Sequence, residues 1–200
     1  MSQHLSRIRW AAILAVTLLG LPTVVGAEDA AASDLPLNLR AFAVNMSGVG
    51  PTRAGTIDIT IERWSTDAER QELVDTLIER DSGALLDALQ DIEPRAGFVR
   101  TSTSLGWDIY YAREEALPSG GRRIVFATDR PMSYWELQSQ PRSRDYEFML
   151  CEIRIGPDGK GQGKLAGAAK ITWNRETRTI EIENFGIEPV RLQNVQVVGK

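Results

Sequence analysis

Histidine and cysteine are almost missing from this chain: His4 and Cys151 are the single examples in 200 residues. His4 lies in an N-terminal stretch with the marks of a secretory signal peptide, so the expected mature chain has no imidazole at all. That excludes a Ser-His-Asp or Cys-His site, and it excludes a His-ligated zinc, copper or haem centre. One thiol allows neither an internal disulfide nor a cysteine-rich metal cluster. Lysine is scarce as well, with only Lys160, Lys164, Lys170 and Lys200. Ser-Lys catalysis needs a lysine desolvated beside a serine. Lys160 and Lys164 flank a glycine-rich turn, Lys200 is terminal, and nothing pairs Lys170 with a particular serine. No metal and no cofactor are implied.

The glycine-rich run Gly156–Lys164, GPDGKGQGK, fails as a phosphate loop. Asp158 stands where the first glycine belongs, and Leu165 follows the lysine where Ser or Thr is required. It fails as a calcium loop because Asp158 is its only acid. A tight hairpin turn is the remaining reading.

What is present begins with an address. Arg7 and Arg9 precede the apolar run Ala11–Leu21, Pro22 breaks that run, and Val25-Gly26-Ala27 offers small residues before Glu28. This order predicts a signal peptide cleaved after Ala27. The competing reading is an uncleaved anchor, since Trp10–Ala27 is an uncharged run of 18 residues, at the lower limit for a span. Cleavage removes two arginines and no acid, moving the formal charge from -4 to -6. A mildly acidic chain has no field to attract nucleic acid or an anionic membrane, and no stable span is expected after cleavage. The expected organisation is a signal peptide over 1–27, a flexible leader over 28–39 and one globular domain over 40–200. About 170 residues suffice to bury roughly two thirds of the chain's surface in one core without covalent staples.

Within that domain Gly55–Trp64 is the cleanest strand, with Ile57, Ile59 and Ile61 alternating with Asp58, Thr60 and Glu62. Thr66-Asp67-Ala68-Glu69 has the capping-box spacing. Leu73, Val74, Leu77 and Ile78 mark one face of a helix ending near Arg80. Leu85, Leu86, Leu89 and Ile92 mark a second, which Pro94 ends. Further strands are expected at Ala41–Met46, Gly97–Thr101, Trp107–Arg113, Arg122–Thr128, Tyr146–Ile155, Lys164–Trp173, Arg178–Asn184 and Val190–Val198. Their links are short turns, which imply antiparallel neighbours. The fold class is therefore α+β: a large antiparallel sheet of about seven to nine strands, curling toward a half-barrel, with two amphipathic helices on one face. Cys151 falls in the alternation Met149, Cys151, Ile153, Ile155 and is expected to be a buried, unpaired thiol.

Four stretches, ERWSTDAER at Glu62–Arg70, RRIVFATDRP at Arg122–Pro131, QPRSRDYEF at Gln140–Phe148 and VRLQNV at Val190–Val195, resemble blocks of a family of small exported bacterial proteins of unknown function. The resemblance spans most of the expected mature chain. It implies a single exported domain and carries over no activity and no site residues.

The chemistry left is that of carboxylates and arginines. A glycosidase needs two acids, and three pairs offer themselves. Glu181 and Glu183 alternate with Ile180 and Ile182 and read as the wet side of a strand. Glu114 and Glu115 adjoin the Pro118–Gly121 turn and read as solvated. Glu136 and Asp145 flank the longest link, beside Trp135 and Tyr146, where rings next to acids suit sugars; alternatively Asp145 pairs with an arginine of its own loop. That link, Asp129–Asp145, also gathers Arg130, Arg142 and Arg144 with Tyr134 and Trp135. Such a group suits recognition of a carboxylate or phosphate. It equally suits local pairing with Asp129 and Asp145 that holds the loop to the sheet rim. The first functional reading is an exported, non-catalytic binding domain for an envelope protein or a small anionic ligand. The second is a carboxylate-dependent hydrolase acting on envelope glycans.

Overall fold

The computed structural model describes residues 35–46, 53–102, 104–130, 145–186 and 188–199. The expected signal peptide and most of the leader lie outside these residues.

Strands β1 (Leu37–Asn45) and β2 (Arg53–Ile61) form a hairpin, and helices α1 (Asp67–Glu79) and α2 (Ser82–Gln90) follow. Then come β3 (Gly97–Thr101), β4 (Trp107–Ile109), β5 (Tyr111–Ala116), β6 (Arg122–Asp129), β7 (Phe148–Ile155), β8 (Lys160–Asn174), β9 (Thr179–Asn184) and β10 (Val190–Val197). Every pairing is antiparallel. Nine strands follow one path, β4-β3-β2-β1-β10-β8-β7-β6-β5, while β9 pairs with β8 alone. The result is the large antiparallel, nearly closed sheet expected of an α+β chain, with two helices packed against it.

The two ends of that path are one stretch of chain. Trp107–Arg113, expected as a single strand, divides at Tyr110 because its partner changes: β4 pairs with β3 and β5 pairs with β6. Tyr110 N–H donates to Ala127 O at 3.2 Å across the division. The remaining gap is spanned by the residues after β2. Glu62 and Arg63 both donate to Ala96 O, at 2.7 and 3.1 Å. Ser65 then meets β5 twice, its amide donating to Ala112 O at 2.7 Å and its hydroxyl accepting from Ala112 N–H at 3.0 Å. Residues 62–65 thus behave as a short lacing over the open seam.

Alternation puts one side of each strand inside. Ile59 and Ile61 of β2, Ile124 and Phe126 of β6, and Ile153 of β7 are fully buried, joined by Leu39, Leu192 and Val195. Asp58 and Thr60 face out, bonded to Arg40 and Asn38 of β1 at 2.7 and 2.9 Å. The expected flexible stretch does not extend to residue 39, because Leu37 and Leu39 are core residues of β1. In β10, Leu192 and Val195 both point inward although three positions apart. The register shifts there, and Asn194 takes φ 50°, a bulge that resets the alternation.

A second apolar layer lies outside. Leu77 of α1 and Leu85 and Leu89 of α2 pack on Ala127, Phe148 and Ala169. Trp173, Ile180 and Ile182 of the β8–β9 hairpin pack against the same layer. The capping box forms as read: Glu69 N–H donates to Thr66 Oγ1 at 3.2 Å, and Thr66 N–H to Glu69 Oε2 at 2.7 Å. Asp81 caps α2 by accepting from Ala84 N–H at 2.9 Å. Strand β8 begins four residues earlier than expected, directly after the Gly156–Gly159 turn, and its second half leaves the main path to pair with β9. No helix among the described residues is long and apolar enough to cross a membrane.

Candidate functional site

The residues flanking the β6–β7 link, Asp129 and Arg130 on one side and Asp145 to Glu147 on the other, lie at one end of the sheet. Of the residues singled out there, Asp129, Arg130 and Asp145 are described, and Tyr134, Trp135, Glu136, Arg142 and Arg144 lie outside the described residues. Arg130 is 8% exposed. Its guanidinium donates to Tyr146 O at 3.1 Å and its amide to Glu147 O at 2.8 Å. Burial holds this guanidinium below the usual arginine pKa. Arg130 therefore clasps the returning backbone and ties the two feet of the loop together.

Asp129 accepts from Gln90 Nε2 of α2 and from Thr128 Oγ1, both at 3.1 Å. Asp145 is 68% exposed, and its described partner is Lys170 of β8, at 3.9 Å. Tyr146 donates its phenol to Glu183 at 2.9 Å and meets Phe185 edge-on, with ring centroids 5.1 Å apart. Burial first, then the bond to Glu183, pushes the Tyr146 pKa up to about 12. Glu147 is raised by burial and by the neighbouring carboxylates of Asp145, Asp87 and Asp81. Glu181 and Glu183 are on the exposed side of β9, as their alternation predicts. No trio of acid, Cys or His side chains among the described residues is arranged to hold a metal ion.

The opposite end carries a cleft of about 560 Å³. Strand β6 connects the two ends, with Arg122 at its start and Asp129 at its finish, about 23 Å apart for an extended run of this length. The cleft is the mouth of the curled sheet. Its walls come from β5 (Glu114, Ala116), the start of β6 (Arg122), the end of β7 with its turn (Ile155, Pro157), and the lacing segment (Trp64, Ser65).

Glu114 and Arg122 share the side of the hairpin that carries the buried Ala112 and Ile124, so both face the interior at its open end. Arg122 donates to Glu114 at 3.1 Å, with the two side chains 23% and 19% exposed. The expectation that Glu114 is solvated does not hold, because adjacent strand residues point opposite ways. Glu115 faces water beside Arg123 at 2.7 Å, and Glu114 faces in. Arg113, also in the cleft wall, donates to Asp67 at 2.6 Å and holds that carboxyl below its ordinary range. Trp64 packs partly on the core, and its Nε1 is shielded from solvent without a hydrogen-bond partner among the described residues. Gly121 makes the turn possible: its φ is 80°, and a Cβ there would stand 2.2 Å from Ile155 O.

A broader groove of about 860 Å³ runs between α1 and α2. Its walls carry the carboxylates of Glu69, Glu72, Asp75, Glu79, Asp87 and Asp91, with Arg80 among them.

Trp64, Arg113 and Arg122, which line this cleft, are not among the candidates the sequence suggests. The available signal was a tryptophan between a strand and a capping box, which has to pack on something. What it packs on depends on the contact between residue 65 and residue 112. Comparison of the chain with protein-family models, with curated proteins and with solved structures found no match.

Proposed function

We propose that this protein is an exported, non-catalytic binding domain whose site is the cleft at the mouth of the sheet. The observation that carries this reading is the Glu114–Arg122 pair, which faces inward at the open end of a sheet whose interior is largely apolar. Mouths of curled sheets are favoured places for small ligands, and the volume falls within the range of such sites. Glu114 is the one carboxylate in the cleft wall among the described residues, and it is engaged by Arg122. An acid-pair hydrolase needs two carboxyl groups facing one bond, so binding is favoured over hydrolysis there. The arginine-rich link Asp129–Asp145 remains in this proposal a second candidate contact segment, for an envelope protein or a small anionic ligand.

Export rests on the N-terminal charge and hydropathy pattern and on the resemblance to small exported bacterial proteins. Intact mass of the protein recovered from periplasm or medium should begin at Glu28; a retained N-terminus in the membrane fraction would defeat this part. Binding is tested by screening small molecules against the mature chain by thermal shift. Stabilising compounds should lose their effect in Ala116→Trp, which fills the cleft. Stabilisation that survives this substitution places binding elsewhere.

The hydrolase reading is favoured by one observation at the loop end. Burial first, then the neighbouring carboxylates of Asp145, Asp87 and Asp81, raises the Glu147 pKa from the ordinary carboxylate value, the direction of shift a general acid uses. Hydrolysis of glycan fragments by the mature chain, abolished by Glu147→Gln, would establish it in place of the binding reading.

A further inference from the structure

The class of ligand follows from how the charges of the cleft are already spent, and this inference rests on the binding reading above. Among the described residues two arginines line the cleft, and each already has an acidic partner. Arg122 is held by Glu114 at 3.1 Å and Arg113 by Asp67 at 2.6 Å. A carboxylate or phosphate arriving at Arg122 would meet the Glu114 carboxylate beside it, with no net positive charge to repay its desolvation. A cationic ligand would meet the guanidinium in the same way. A zwitterion would have to separate the pair in order to face each half.

A hydroxyl group has none of these difficulties. It donates and accepts from one atom, so it can bridge a carboxylate oxygen and a guanidinium N–H while leaving the pair intact. A carboxylate has about four lone-pair sites and a guanidinium five N–H donors, more than their mutual bond uses. Around them Trp64, Ala116, Ile155 and Pro157 supply apolar surface. Apolar surface next to one compensated pair of donors and acceptors complements a molecule with C–H faces and hydroxyl edges. We infer that the cleft takes a neutral, hydroxyl-rich ligand, a sugar unit, seated on the Glu114–Arg122 pair and bounded by Trp64.

Isothermal titration of the full mature chain tests this with five probes: maltose, N,N′-diacetylchitobiose, glucuronate, inorganic phosphate and glycine. Saturable binding of at least one of the two neutral sugars is expected, with glucuronate and phosphate at least tenfold weaker. Glu114→Gln, which keeps the shape and one acceptor but removes the charge, should weaken the sugar severalfold and strengthen glucuronate. Ala116→Trp, at an exposed position and so compatible with folding, should abolish sugar binding with the melting temperature preserved. Preferred binding of glucuronate, phosphate or glycine, lost in Ala116→Trp, would overturn the sugar assignment while leaving the cleft as a binding site. Sugar binding unaffected by Ala116→Trp would overturn the placement. If none of the five probes binds, and the thermal-shift screen likewise yields nothing sensitive to Ala116→Trp, both the sugar assignment and the binding reading fail.

Discussion

Ser65 and Ala112 are joined by two hydrogen bonds, one in each direction, although 47 positions separate them. The serine hydroxyl does the work of a missing strand: it accepts the amide that β5 would otherwise leave bare on its free edge. Ser65→Ala should therefore destabilise by about 1–3 kcal/mol, the cost of an unsatisfied buried donor. Urea denaturation measures this directly. An unchanged midpoint would show that the lacing segment does not secure the seam.

The Glu114–Arg122 pair makes a prediction about sign. Both side chains are about four-fifths buried. Removing one partner leaves the other charge unpaired in a half-dry site, and Glu114→Ala should cost about 1–2 kcal/mol after allowance for the remaining exposure. Replacing both by leucine should cost less than the sum of the single changes, because no charge is stranded. Additive losses in a double-mutant cycle would show that the two residues act independently.

Cys151 is 2% exposed and burial pushes its thiol pKa far above the ordinary value. The folded thiol stays protonated while the unfolded one ionises near pH 8.5. Above that pH the folded state therefore binds more protons than the unfolded state, and this group's contribution to stability falls as pH rises. Labelling by a disulfide reagent should be slow in the native protein at every pH between 7 and 9, far below the rate of the urea-unfolded chain at the same pH. It should be complete in urea. Fast native labelling would remove Cys151 from the core.

Tyr146 should titrate late. Its phenol is an acid whose folded pKa is raised to about 12, so stability linked to it is intact below pH 10. That stability is lost as pH rises from about 10, where the unfolded phenol ionises, toward 12. Phenolate absorbance of the wild type minus that of Tyr146→Phe should give the midpoint. A difference curve centred at 10 would mean that the bond to Glu183 and the contact with Phe185 do not form.

Local signals in the sequence survived the comparison with the fold, and non-local ones did not. Ile57, Ile59 and Ile61 announce a half-buried strand because alternation depends only on neighbours. Thr66 and Glu69 announce a helix start because a capping box closes within one turn. Met149, Cys151, Ile153 and Ile155 place the thiol inside for the same reason. Glu114 and Glu115 look alike as a dipeptide; which faces in depends on the pairing of β5 with β6 and on the curl of the whole sheet. The partner change at Tyr110 is invisible locally, since both halves of Trp107–Arg113 are strand. Trp64 gains its place from a serine bonded across 47 positions. Asn194 hides a bulge, because bulge positions accept several residue types and are set by the partners on either side.

The pairing of β1 with β10, Leu39 opposite Val197, has a consequence for assembly. The first and the tenth strand are neighbours, so β1 keeps one bare edge until nearly all of the chain is available. Until then β8 also lacks the partner that β10 supplies. A chain cut after Asn184 would present two unprotected ribbons of backbone donors and acceptors, the template on which strands of other molecules add. Such a fragment should aggregate rather than remain a soluble, smaller version of the protein. Strands β1 and β8 are thus joined only through β10, which forms a hairpin with neither.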